Sequence, residues 1–400
     1  VVRKLAAAEI TTDRTKITTK EMNNRRAVTG FRLGTRKSRV SVPAELFYAG
    51  DAKQFDDFLE SWMCAAWTAA GSAIAAQEVS VGTPGATTVL TCATAATNIA
   101  VGQWIKVSGY TGAQIGNNGY YRVSAVNTLA ITVVSPNYAL MVAGAAQGAA
   151  VVLQIMAYVA PGTVTKSLAF EEAQTDNAAA LNVVKMALGA MANTFELNIV
   201  PDDIVQATFE FMAKIFAVGA TRAAAAAEAS TLNGTTVAAS TAWTAAPTNS
   251  PMTANDVLMQ LMVDNVAVGV VTNLKLSGNN GLEEMFPVGS LVPYAIGKND
   301  SVVTGTMDIY MIDSSFWTKY QAETVLGLSI RLMDPDSGTL TTQEVGKGYA
   351  IDLPNIKLES VAENKEKTKV IHSVPFSALE LGTANTKGAA TVNMRVSRLV

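Results

Sequence analysis

The sequence predicts a mainly β fold: an antiparallel β-sandwich or barrel with one flanking α-helix, plus a small all-β domain inserted into it. Three observations predict it. Apolar residues alternate with period two over most of the chain, as in strands buried on one face. Two short stretches break that rhythm with helical spacing. Between residues 77 and 160 the strands shorten, turn signals crowd together and charge nearly vanishes. With 49% hydrophobic and 16% charged residues, the 400-residue chain has ample material for a large core, which excludes disorder as a whole.

The N-terminal segment stands apart by charge. Residues 1–40 hold eleven of the 30 Lys and Arg but only three of the 33 Asp and Glu, leaving +8 there and −11 in the remainder. A basic arm on an acidic body seeks an acidic partner, either nucleic acid or another copy of the chain. Apart from Phe31 the arm has no interleaved aromatics, and it shows no helix-turn-helix or zinc pattern, so it is no obvious DNA reader. The start at Val1 implies trimming, and the charged opening lacks the apolar core of a signal peptide.

A flanking helix is expected over about residues 52–70, with Asp51 as cap and Gln54 in the capping-box position. Phe55, Phe58, Leu59, Trp62, Met63 and Trp67 form its apolar face. Residues 77–160 follow as the inserted domain, with strands at Val89–Cys92, Ile105–Ser108, Tyr120–Val126, Leu129–Val134 and Val151–Val159 and turns at Asn117-Asn118-Gly119 and Asn127-Thr128. The apolar stretch Ala139–Ala160 is interrupted by Gln147 and Gln154, and its second half reads as strand rather than membrane span.

The main β-domain, residues 41–76 and 161–400, then takes alternating strands. These carry Phe195, Leu197 and Ile199; Val205, Ala207, Phe209 and Phe211; Val303, Met307 and Ile309; Leu328, Ile330 and Leu332; and finally Val392, Met394 and Val396. One-sided burial of this kind belongs to antiparallel sheets. Within this domain, residues 218–251 are low-complexity in Ala, Thr and Ser and read as a loop. A second, short helix is capped by Asp313 or Ser314, with Phe316, Trp317 and Tyr320 as its packing face.

Catalytic chemistry is scarce, and no enzyme activity, metal or cofactor is expected. His372 is the only histidine; it shares a strand face with Val370, Val374 and Phe376 and reads as a packing residue. No GxSxG, HExxH or Walker motif occurs. The glycines at 109, 112, 116 and 119 precede a strand, where a dinucleotide loop needs a helix N-terminus. Adjacent acids such as Asp202-Asp203 and Glu283-Glu284, in tight turns or strands, point to opposite sides, and Asp334-Pro335-Asp336-Ser337-Gly338 reads as a turn. Cys64 and Cys92 make no CxxC, which argues against a disulfide framework or zinc site and fits a reducing compartment.

Several segments, in order, resemble the tail tube proteins of long, flexible-tailed, siphovirus-type bacteriophages. They are NRRAVTGFRLGTRKSRVSVPAEL from Asn24, FDDFLESW from Phe55, SLAFEEAQTDN from Ser167, NTFELNIVPDDIVQATFEFMAK from Asn193, VVTNLKLSGNNGLEEMFPVGS from Val270, VVTGTMDIYM from Val302, YAIDLPNIKLESV from Tyr349 and VPFSAL from Val374. The resemblance implies a structural virion protein with no active site, forming stacked hexameric rings whose strands build a β-barrel around a lumen that conducts DNA. It also implies assembly in the host cytoplasm, no membrane, and partners among tail proteins: the tape measure, tail terminator and distal tail. Phage DNA would pass without specific binding, which suits an acidic body.

On this reading the basic arm is an assembly device, and Arg14, Arg25, Arg26, Arg32, Arg36 and Arg39 are candidate inter-subunit or inter-ring contacts. Residues 77–160 fall outside the shared pattern and are expected on the outside of the tube, where they leave the lumen open. The competing reading is a β-rich adhesin or capsid-decorating module anchored by its arm.

Overall fold

A computed structural model describes residues 8–18, 30–48, 54–71, 74–85, 87–95, 98–134, 141–175, 181–239, 250–254, 257–263, 266–267, 271–310, 315–334, 347–365, 370–380 and 392–400. β1 (Glu9–Thr18) and β2 (Phe31–Glu45) pair as an antiparallel hairpin, and α1 (Gln54–Met63) follows. Six strands then form a closed barrel in the spatial order β3-β4-β7-β6-β5-β8. They are β3 (Ile74–Val81), β4 (Thr87–Cys92), β5 (Trp104–Ser108), β6 (Gly119–Asn127), β7 (Ala130–Val134) and β8 (Gly144–Ile155). Next come β9 (Ala157–Val159), β10 (Leu168–Thr175), β11 (Leu181–Ile199), β12 (Gln206–Ala213), β13 (Ile215–Gly219), α2 (Arg222–Asn233), β14 (Val257–Val263), β15 (Val266–Ala267) and β16 (Val271–Asn279). A small hairpin of β17 (Glu283–Met285) and β18 (Ala295–Gly297) precedes β19 (Val302–Tyr310), α3 (Ser315–Gln321) and β20 (Leu326–Met333). The chain closes with β21 (Gly348–Leu358), β22 (Ala362–Lys365), β23 (Val370–Ala378) and β24 (Arg395–Leu399).

The main sheet runs β1-β2-β12-β11-β16-β19-β23-β21-β20-β14-β15, with β10 and β13 on the first half of β11 and β24 bridging β21 to β9. Period-two alternation sends Val40, Phe209, Phe195, Leu276, Met307 and Phe376 into one core. β21 meets β23 over only three residue pairs, and beyond that join Leu328, Ile330, Ile351 and Leu353 reach the same core from the other side. The result is two layers with α1 between them: the Phe55 ring lies 6.0 Å from Phe209 and 5.0 Å from Tyr349. Close packing fixes glycine at Gly278, where a Cβ would stand 2.1 Å from the Trp62 ring.

α1 buries the expected Phe55, Phe58, Leu59, Trp62 and Met63 but ends at Met63 rather than near residue 70. Cys64 takes φ 49°, a left-handed stop. Trp67 lies beyond the helix and still packs on it, its Nε1–H donating to the Asp56 carbonyl at 3.3 Å. Asp51, the expected cap, lies outside the described residues, as do Asp313, Ser314 and the side chain of Phe316 at α3.

The loop expected over 218–251 is corrected in its first part: Arg222–Asn233 is a helix. Thr221 caps it, accepting from Ala224 N, and Gly234 ends it at φ 72°. Alanine has the highest helix propensity, yet an all-alanine run shows no amphipathic stripe, so the pattern hid the helix. Ala225, Ala226 and Ala229 pack on β11 and β13 beside Val184, Met186 and Ile215. In the stretch that looked membrane-like, Gly144–Ile155 is barrel strand, and no helix among the described residues is long and apolar enough to cross a bilayer.

Candidate assembly surfaces

The described residues of the basic segment lie in the β1–β2 hairpin. Its outer part, Phe31–Lys37, runs past the last β12 pairing at Ser38 and is paired there with β1. Seven residues at about 3.3 Å each extend it by roughly 23 Å. Three candidate arginines are tied within the chain. Arg14 Nε donates to Gly34 O at 3.2 Å; Arg36 Nη1 donates to Phe216 O at 2.9 Å and meets Glu228 at 3.5 Å; Arg39 forms a forked pair with Glu284. Arg32 is exposed near the tip, while Arg25 and Arg26 lie outside the described residues. The hairpin is thus braced by some of its cations and presents others.

A polar surface covers the outer side of the sheet from β2 to β23. Register places Pro43, Thr208, Glu196, Ser277, Thr304 and Ser377 in one row. A neighbouring row holds Glu45, Gln206, Asn198, Lys275 and Thr306. Lys275 pairs with Glu196 at 2.7 Å. Glu45, Glu210 and Asp308 add further acid, so short hydroxyl and amide side chains with a slight negative bias make up this face. None of it is apolar enough to seal against another sheet.

The barrel docks on the opposite layer. β21 is buried on both faces: Tyr349, Ile351 and Leu353 enter the core, while Ala350 packs with Trp104, Tyr120, Met156 and Leu399. Asp352 locks this contact. It accepts from Trp104 Nε1 at 2.7 Å and Ser329 Oγ at 2.7 Å, and forms an ion pair with Arg122 at 3.2 Å. Arg331, only 3% exposed, stands 5.5 Å over the Tyr120 ring, and burial pushes its guanidinium down to about 10, still cationic at neutral pH. Burial pushes the Tyr120 hydroxyl up to about 12, and it donates to Val400 O at 2.5 Å.

The family model described as phage tail tube protein matches residues 3–378. The chain belongs to the phage tail tube family. No curated protein sequence matches it.

The two cysteines and the single histidine are all buried. Both cysteines are free and buried, and burial raises both thiols. His372 is buried edge-on to Trp317, with ring centroids 6.4 Å apart. Among the described residues no cluster of His, Cys, Asp and Glu could hold a metal. Sequence reasoning passed over Ser329, Arg331 and Asp352, which are buried. Their strand pattern implies solvent on that face, but the tail tube subunit covers it with the barrel. A signal was there: a charge alternating with leucine and isoleucine on two strands, Arg331 and Asp352, of opposite sign.

Proposed function

We propose that this tail tube protein forms hexameric rings that stack into the tube of a long, flexible-tailed phage, through which DNA leaves the capsid. The observation that carries this reading is the two-sided main sheet. One side closes over the core and α1; the other is a mostly polar face across six strands, rich in Ser and Thr, with Asn198, Gln206, a few acids and Lys275 paired to Glu196. Such a face suits a wet channel, because unclustered hydroxyls and sparse negative charge give a polyanion nothing to hold. In this arrangement the polar face of β2–β23 lines the lumen. The barrel, a domain inserted into the tube domain with its own core, sits on the other layer and faces outward.

Six copies side by side also cover the open edge strands that a lone sheet exposes. The tape measure fills the lumen during assembly, terminator and distal tail proteins cap the ends, and assembly takes place in the host cytoplasm. Negative-stain microscopy of the purified full-length protein at rising concentration tests the proposal. Rings and hollow tubes are expected; a monomer that persists at every concentration on a sizing column overturns it.

A further inference from the structure

Two adjacent hairpins carry a cluster of exposed apolar side chains. The β17–β18 hairpin lies along β2: Arg36 N donates to Leu291 O at 2.8 Å, and Arg39 clasps Glu284. This hairpin exposes several large apolar side chains. Val288 is fully exposed, Tyr294 is 77% exposed, and Met285 and Leu291 are about half exposed. The β1–β2 tip beside it adds Phe31 and Leu33, also about half exposed, with Lys16 over the Phe31 ring and Arg32 and Lys37 exposed nearby. An exposed apolar concentration rimmed by cations marks an interaction site.

The opposite end of the same strands has the complementary character. β2 ends at Glu45, paired with Gln206, and the turn Pro201-Asp202-Asp203 between β11 and β12 projects there, with both aspartates exposed. β19 ends at the same side with Tyr310, 39% exposed. The exposed hairpin surface is thus apolar with cations at its rim, and the Pro201–Asp203 turn at the opposite end of β2 and β12 is acidic.

We propose that the two hairpins form one docking head whose occupant is the Asp202–Asp203 end of a second copy, in the next ring. This rests on the tube reading and assigns the surfaces that stack it. Unlike ends bind head to tail, a heterologous contact that does not close and so propagates a filament.

A charge swap in the full-length protein tests it. Arg32→Glu with Lys37→Glu alters the head. Asp203→Lys with Asp202→Asn alters the tail and leaves a residue that tolerates the left-handed φ of 60° at position 202. Each pair alone is expected to leave rings intact and to shorten tubes by about tenfold or more in micrographs, with the parent tubes themselves weakened by added salt. All four substitutions in one chain are expected to restore tube length. Retained rings with tubes as short as in either pair alone, or a head variant that polymerises like the parent, overturns the docking assignment while leaving the tube reading intact. A parent that forms no rings overturns both. Tyr294→Ser with Val288→Ser, which carries no charge change, is expected to shorten tubes without rescue by the acidic-end variant.

Discussion

At the residue scale, Gly278 and Asp352 show how tightly this subunit is specified. A methyl group at Gly278 would enter the Trp62 ring, and both are held by the core between the layers. Gly278→Ala should therefore cost about 1–3 kcal/mol through overpacking, read as a lower urea midpoint with unchanged slope. Asp352 accepts two hydrogen bonds and faces Arg122 where water is excluded. Asp352→Ala strands those partners and should cost about 3–5 kcal/mol, whereas Ser329→Ala removes one hydrogen bond and should cost roughly 1 kcal/mol. Urea titration of the three proteins checks the ranking; equal losses would mean that Asp352 acts as packing rather than as the polar lock.

At the scale of elements, the long strands, α1 and the barrel strands were legible because period-two and 3.6-residue patterns report which face is buried. Patterns fail where both faces are buried or where every residue is small. β20 and β21 are covered on both sides, so Arg331 and Asp352 read as solvent-facing. α2 has no stripe to see, and its caps, Thr221 and Gly234, were the only signs of its ends. Thr221→Ala should accordingly destabilise α2 by about 1 kcal/mol, visible as faster amide exchange across Arg222–Asn233.

The edge strand β1 depends on protonation. Burial alone would raise the Glu172 carboxyl, but hydrogen bonds from Lys185, Ile10 N and Gln174 hold it below its ordinary value of 4.5. A depressed carboxyl contributes stability above 4.5 and loses it as pH falls through the lower folded value. Protection of β1 amides, corrected for intrinsic exchange, should fall on acidification through that window in the parent. Glu172→Gln should lack that dependence, and an identical pH profile in both proteins would assign the loss elsewhere.

At the scale of the whole molecule, the described cations of the N-terminal segment gather on the edge hairpin of the main sheet. The described part of the +8 segment, residues 9–18 and 31–40, lies in a braced hairpin at one edge of the sheet, and three of its arginines are tied within the subunit. This explains why a sequence count alone left nucleic acid and a second copy as equal candidates: it cannot distinguish a cation spent inside the chain from one presented outside. The two-layer arrangement separates the polar face of β2–β23 from the barrel, so a closed ring with one inside and the other outside needs no rearrangement of the subunit. The most direct measurement is a density map of the assembled protein. Hollow six-fold rings are expected, with the Glu196–Ser277–Thr304 row on the channel wall and the β3–β8 barrel as an outer lobe. A barrel inside the channel, or the β20–β21 layer lining it, would contradict this arrangement.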